Sequence, residues 1–142
     1  MLLLAQQNLV LDKLCQTILH SKKEICFVGI TNERGNVLEK KQRDSLVGQL
    51  QKTRYEMFFM EFALQHRMNN EFDSELGLVL YTIVQRENET FFSFPLNSLQ
   101  VLVVAKGGCN PISVSKKISQ VIDKYNMEFN SQTSKEMLEV FS

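Results

Sequence analysis

The stretch "ELGLVLYTIVQRENETFFSFPLNSLQVLVVAKGGCNPISV", residues 75–114, decides the fold. It holds three apolar, β-branched or aromatic runs, at 75–86, 91–96 and 98–105, separated by short polar gaps. Gaps this short cannot carry a crossover, so the runs read as an antiparallel meander of three strands. Pro95 has no amide proton and is expected at a strand end or bulge. The last run leads into Gly107 and Gly108, then into Asn110 and Pro111, a good N-cap and first helical residue. Strand, glycine loop and helix is also how phosphate-binding loops are ordered. That chemistry needs G-x-x-x-x-G-K-[ST], whereas these glycines are adjacent and the next lysines are Lys116 and Lys117. A dinucleotide fingerprint would need a parallel βαβ setting. The loop is expected only to turn the chain.

Upstream, apolar residues from Leu3 to about Ser21 fall at helical spacing: Leu4, Leu11, Leu14 and Ile18. "EICFVGI", residues 24–30, is apolar on both faces and reads as a central strand. "TNERGN" supplies turn chemistry, with positive φ available to Asn32 and Gly35. "NVLEKK", residues 36–41, reads as an edge strand protected by lysines. A polar connector spans 42–52, and a Thr53–Glu56 capping box opens a second helix that runs to about Met68, with Asn69 and Asn70 closing it. Downstream, Val114, Ile118, Val121, Ile122 and Tyr125 make the buried stripe of the final helix. Residues 127–132 read as a linker, and a Thr133–Glu136 capping box predicts a short helix in the tail. The order is α-β-β-α-β-β-β-α plus a tail: one domain over 1–126 and a tail over 127–142.

A 142-residue chain with 44% apolar residues can build a core of its own. Its 16 basic and 16 acidic residues balance, which gives no electrostatic reason for a nucleic-acid partner. Cys15, Cys26 and Cys109 form no CxxC pair, and His20 and His66 have no ligand at metal spacing. Reduced thiols and a cytoplasmic location are the plain reading. The opening "MLLLAQQNLVLDKL" lacks a basic leader and reads as an amphipathic helix rather than a signal peptide. No run reaches the length of a membrane span.

No catalytic constellation emerges, and no cofactor or metal is implied. Cys109 precedes a helix start, where partial positive charge can activate a thiol, but no histidine is near it in sequence. Glu71, Asp73 and Glu75 sit in a polar turn without a ligand pattern and read as solvated charge. Lys40, Lys41 and Arg43 lack interleaved aromatics and read as an edge rather than a nucleic-acid patch. The informative segment is "TRYEMFFMEFALQHRM", residues 53–68. At 100° per residue it has two apolar arcs: Tyr55, Phe58, Phe59, Phe62 and Ala63 on one side, Met57, Met60, Leu64 and Met68 on the other. A surface helix needs one apolar face. The second, rich in adaptable methionine, predicts a partner. The competing account is that the connector or the tail covers it.

The element order, with "ICFVGITNERGNVLEKK" and "LQVLVVAKGGCNPISVSKKISQVIDKY", resembles the roadblock family of the profilin-like, longin-like superfold over roughly residues 3–126. The shared motifs are Gly29 followed by "NERGNV" at 32–37, and "VLVVA" at 101–105 running through a small loop into the last helix. The resemblance implies an α+β fold: a five-stranded antiparallel sheet in order 2-1-5-4-3, the second helix on one face, the first and last on the other. It implies pairing through second helices and third strands, which adds Val79, Tyr81 and Ile83 to the interface residues Met57, Met60, Leu64 and Met68. It implies a non-enzymatic scaffold or regulator, a homodimer or a heterodimer with a similar domain, and a small Ras-like GTPase as partner. The alternative is a PAS- or Cache-type small-molecule sensor, with Phe91, Phe92 and Phe94 lining a pocket.

Overall fold

In a computed structural model the backbone is described for residues 2–43 and 52–141, and the side chains for 8–43 and 56–128. The elements are α1 (Leu2–Ser21), β1 (Ile25–Thr31), β2 (Val37–Gln42), α2 (Lys52–Asn70), α3 (Asp73–Leu76), β3 (Thr82–Gln85), β4 (Glu89–Leu96), β5 (Leu99–Lys106) and α4 (Pro111–Phe141). One five-stranded sheet runs β2-β1-β5-β4-β3, antiparallel throughout. This is the expected α+β architecture and strand order. β1 is buried along its whole length, as an apolar run on both faces requires.

The sheet separates two cores. On one face α1 and α4 close over Phe92, Phe94, Val28, Ile30, Val101 and Val103, using Leu14, Ile18, Val114 and Ile118. On the other, α2 lays Phe58, Phe59 and Phe62 over Phe27, Phe91, Leu102 and Val104. Phe27 and Phe59 stack there with centroids 5.6 Å apart, and Phe58 meets Phe91 at a tilt with centroids 4.6 Å apart. Phe91 and Phe92 therefore belong to different faces, and no common pocket is lined by Phe91, Phe92 and Phe94.

Gly35 shows why the first hairpin touches α2. Its φ is +83°, and a Cβ there would stand 2.8 Å from the Met60 Cα, so only glycine lets this turn meet the helix backbone. Asn32 does not take positive φ as expected. Its Oδ1 instead accepts the Arg34 and Asn36 amides at 3.0 Å, an Asx-type turn.

Three further expectations are corrected. The third strand covers only Thr82–Gln85, not 75–86; α3 takes up part of the difference. Continuing the β3–β4 register would put Leu80 opposite Pro95, which has no amide proton to give, so the ladder stops. Asn69 and Asn70 stay helical instead of closing α2 in the left-handed region. Residues 127–132 are helix rather than linker, because no glycine or proline follows Pro111 to stop α4. The connector at 44–51 and the side chains of both predicted capping-box threonines, Thr53 and Thr133, lie outside the described residues.

The fully buried Cys15 carries a pH signature. Burial, with smaller repulsion from Glu39 and Asp12, pushes its thiol up from 9.0 to about 12. The folded state therefore keeps a proton that the unfolded chain releases near pH 9. The associated stability is intact below pH 9 and falls by about 1.4 kcal/mol per pH unit as pH rises toward the folded value. Urea midpoints at pH 8 and pH 10 are expected to drop more for the wild type than for Cys15→Ala.

Candidate functional site: an exposed apolar face on α2 and its flank

The glycine loop after β5 bonds back to the chain itself. The Gly107 N–H donates to the Asn88 carbonyl at 2.9 Å, and a Cβ on Gly107 would stand 2.5 Å from the Glu87 carbonyl oxygen. Gly108 adopts φ +84°, and the Asn110 Oδ1 then accepts the Ser113 N–H at 3.2 Å to cap α4. The loop ties the β3–β4 turn to the start of α4. Gly107→Ala is expected to cost about 1–3 kcal/mol, because the clash is with backbone that cannot swing aside; a urea titration measures it.

The other candidate residues do not gather into a site among the described residues. Cys109 packs half-buried against the α1–α4 core. Glu71 and Glu75 are exposed, Asp73 is half-buried, and no group of three potential ligands able to hold a metal occurs among the described residues. Two members of the basic cluster tie α1 to β2 and to the residue that follows it. Lys41 Nζ lies 2.8 Å from Asp12 Oδ1, and this hydrogen bond and its charge raise the Lys41 pKa. Arg43 Nη2 donates to the Leu19 carbonyl at 2.5 Å, supplying a cation where the helix leaves carbonyls unpaired. Arg43→Ala is expected to cost about 1.5–3 kcal/mol, the worth of a charge-assisted bond, read from a thermal melt.

What remains is apolar surface. The two arcs of α2 separate as their spacing predicts. Phe59 and Ala63 are buried and Phe58 and Phe62 half-buried, while Met57, Met60, Leu64 and Met68 are 54–70% exposed. The Tyr55 side chain lies outside the described residues. The segment leaving α2 adds more: Phe72, Leu76, Leu78 and Leu80 are 53–81% exposed. It runs into β3, which stands at the sheet edge with one flank unpaired among the described residues.

The structure does not place Val79, Tyr81 and Ile83 together. Val79 borders a small hollow with Phe62, His66 and Thr82, on the α2 side. Tyr81 packs on Phe94 (centroids 5.7 Å apart) and Ile83 on the α1–α4 core, both across the sheet. Val84, paired with Phe91, is the apolar β3 residue that shares the α2 side with Thr82, and it is 37% exposed. Sequence reasoning missed Phe72, Leu76, Leu78, Leu80 and Val84. The signal available was the leucine run itself, which a strand reading assigned to the sheet.

No family model matches the sequence, and no curated protein matches it. Among solved structures, a Roadblock/LC7 domain from Streptomyces avermitilis superposes with a TM-score of 0.64 at 9% identity, covering 83% of this chain and 96% of that one. Myxococcus xanthus MglB gives 0.67 at 10% identity, covering 87% and 90%. The gliding protein MglB from Thermus thermophilus gives 0.61 at 11% identity, covering 82% and 87%. With its strand order and helix placement, the chain has the fold of the Roadblock/LC7 domain.

Proposed function

We propose that this chain is a non-enzymatic interaction module that works as a dimer, two copies meeting through the outer face of α2 and the edge at β3. The observation that carries the reading is the exposed row Met57, Met60, Leu64 and Met68 beside Leu76, Leu78 and Leu80. Soluble monomers rarely leave so much contiguous apolar surface in water. A two-fold axis lets one such patch cover its own copy, and the unpaired β3 edge offers backbone hydrogen bonds in the same place. One solved structure with this fold is described as MglB with a tetrameric arrangement, which supports association as a property this fold can carry.

Residues 1–126 form the module in this reading, and 127–142 extend it. The role is regulatory or scaffolding, in the cytoplasm, and the third party is a small Ras-like GTPase, the partner class that the resemblance implies. No helix among the described residues is long and apolar enough to cross a membrane. Light scattering on the full chain at micromolar concentration tests the pairing. The expected result is twice the 16.4 kDa chain mass; a monomer at these concentrations contradicts it. Co-elution with a Ras-like GTPase of the same cell, loaded with GDP or with a GTP analogue, tests the third party, and no co-elution in either state removes it.

A further inference from the structure

On the sheet face away from α2, helices α1 and α4 leave between them a trough of about 1030 Å³. Its floor is apolar, formed by Val10, Leu14, Val121 and Tyr125, and its rim carries Lys13, Lys117 and Lys124. Past Lys117 the trough meets a second hollow bordered by Lys22 and Lys116. Among the described residues that line the two hollows, the one carboxylate is Glu128. Asp12, on the same helix as Lys13, is drawn to Lys41 instead. In a chain whose 16 basic and 16 acidic residues cancel, the described lining of the trough sets three lysines against one carboxylate around an apolar floor, with Lys22 and Lys116 beyond its end.

We infer that this trough is a docking groove for an amphipathic helix of a partner protein, one whose apolar stripe is flanked by glutamates or aspartates. The walls are helices, whose backbone groups are bonded internally, so they offer no ladder to an extended peptide. A helix arrives with its own backbone already satisfied and can present side chains alone. The stretch of α1 along the trough, from Leu9 to Ser21, would run beside about three turns of such a guest. The guest would rest in the concavity as a third helix, with its carboxylates meeting the lysine rim. An anionic membrane would meet the lysines too, but a flat bilayer leaves a recessed floor unfilled.

The test uses fluorescence anisotropy on the full chain. The probe is a stapled helix of about fifteen residues with a leucine stripe and glutamate flanks; its twin carries lysine flanks. The glutamate helix is expected to bind with a micromolar Kd and its twin at least about tenfold more weakly. Lys117→Glu with Lys124→Glu, at surface positions that leave the melt unchanged, is expected to invert that order. No binding of either helix at about 100 μM, or equal binding of both, overturns the inference. Tighter binding of a peptide spanning residues 129–142 overturns it in favour of a second copy. Sedimentation with phosphatidylglycerol vesicles, without peptide binding, overturns it in favour of a membrane surface. Met60→Glu with Leu64→Glu is expected to leave peptide binding intact, so failure here is distinguishable from failure of the dimer reading.

Discussion

Met60→Glu combined with Leu64→Glu is expected to turn the paired module into a folded monomer. Both side chains are more than half exposed on the single chain, Met60 at 54% and Leu64 at 57%. Solvated carboxylates there cost the monomer about 0.5 kcal/mol or less. In the pair each substitution occurs twice, around the two-fold axis, and places charge in a water-poor seam with no counter-ion. Unpaired buried carboxylates cost several kcal/mol, so affinity is expected to fall by about a thousandfold or more. Light scattering should report half the wild-type mass while the circular dichroism spectrum is unchanged. A variant that keeps the wild-type mass and is still paired would show that α2 is not the seam.

The second large effect concerns stability. Phe92 is fully buried at the middle of β4, paired with Ile83 on one side and Val103 on the other, under the helices α1 and α4. Phe92→Ala removes a ring from a core that cannot collapse to fill the gap and is expected to cost about 3–5 kcal/mol. That is a large share of the roughly 5–15 kcal/mol that holds a domain together. A urea titration should show the midpoint falling sharply, whereas Leu38→Ala, at a position 45% exposed on β2, should move it by about 0.5 kcal/mol or less. Equal effects at the two positions would contradict the assignment of Phe92 to the core.

The two ends of the sheet were legible because their logic is local, whereas the β1–β5 pairing that joins them was implied only by the family resemblance. Two short gaps force β3, β4 and β5 to be neighbours, and the turn around Gly35 forces β1 against β2. The arcs of α2 were legible for the same reason: helical spacing alone assigns Phe59 inward and Met60 outward. What the sequence hid depends on partners far along the chain. Residues 78–81 are apolar and aromatic like a buried strand, but their pairing is cut short by Pro95 on another strand. The roles of Lys41 and Arg43 were invisible because Asp12 and the Leu19 carbonyl lie on a helix more than twenty residues earlier. Which sheet face Tyr81 and Ile83 take was not legible either: they lie against Phe94 and the α1–α4 core, across the sheet from the methionines of α2.

The most direct measurement is peroxide oxidation of the full-length wild type, read methionine by methionine in a mass spectrometer. On a single chain Met57, Met60 and Met68 are 70%, 54% and 55% exposed, and Met127, on α4, is 74% exposed. Sulfoxide formation tracks access to the sulfur. If a second copy covers α2, Met60 and Met68 oxidise much more slowly than Met127, and the protection disappears on dilution. If all four react at rates set by their single-chain exposure, α2 faces water and the pairing account is wrong.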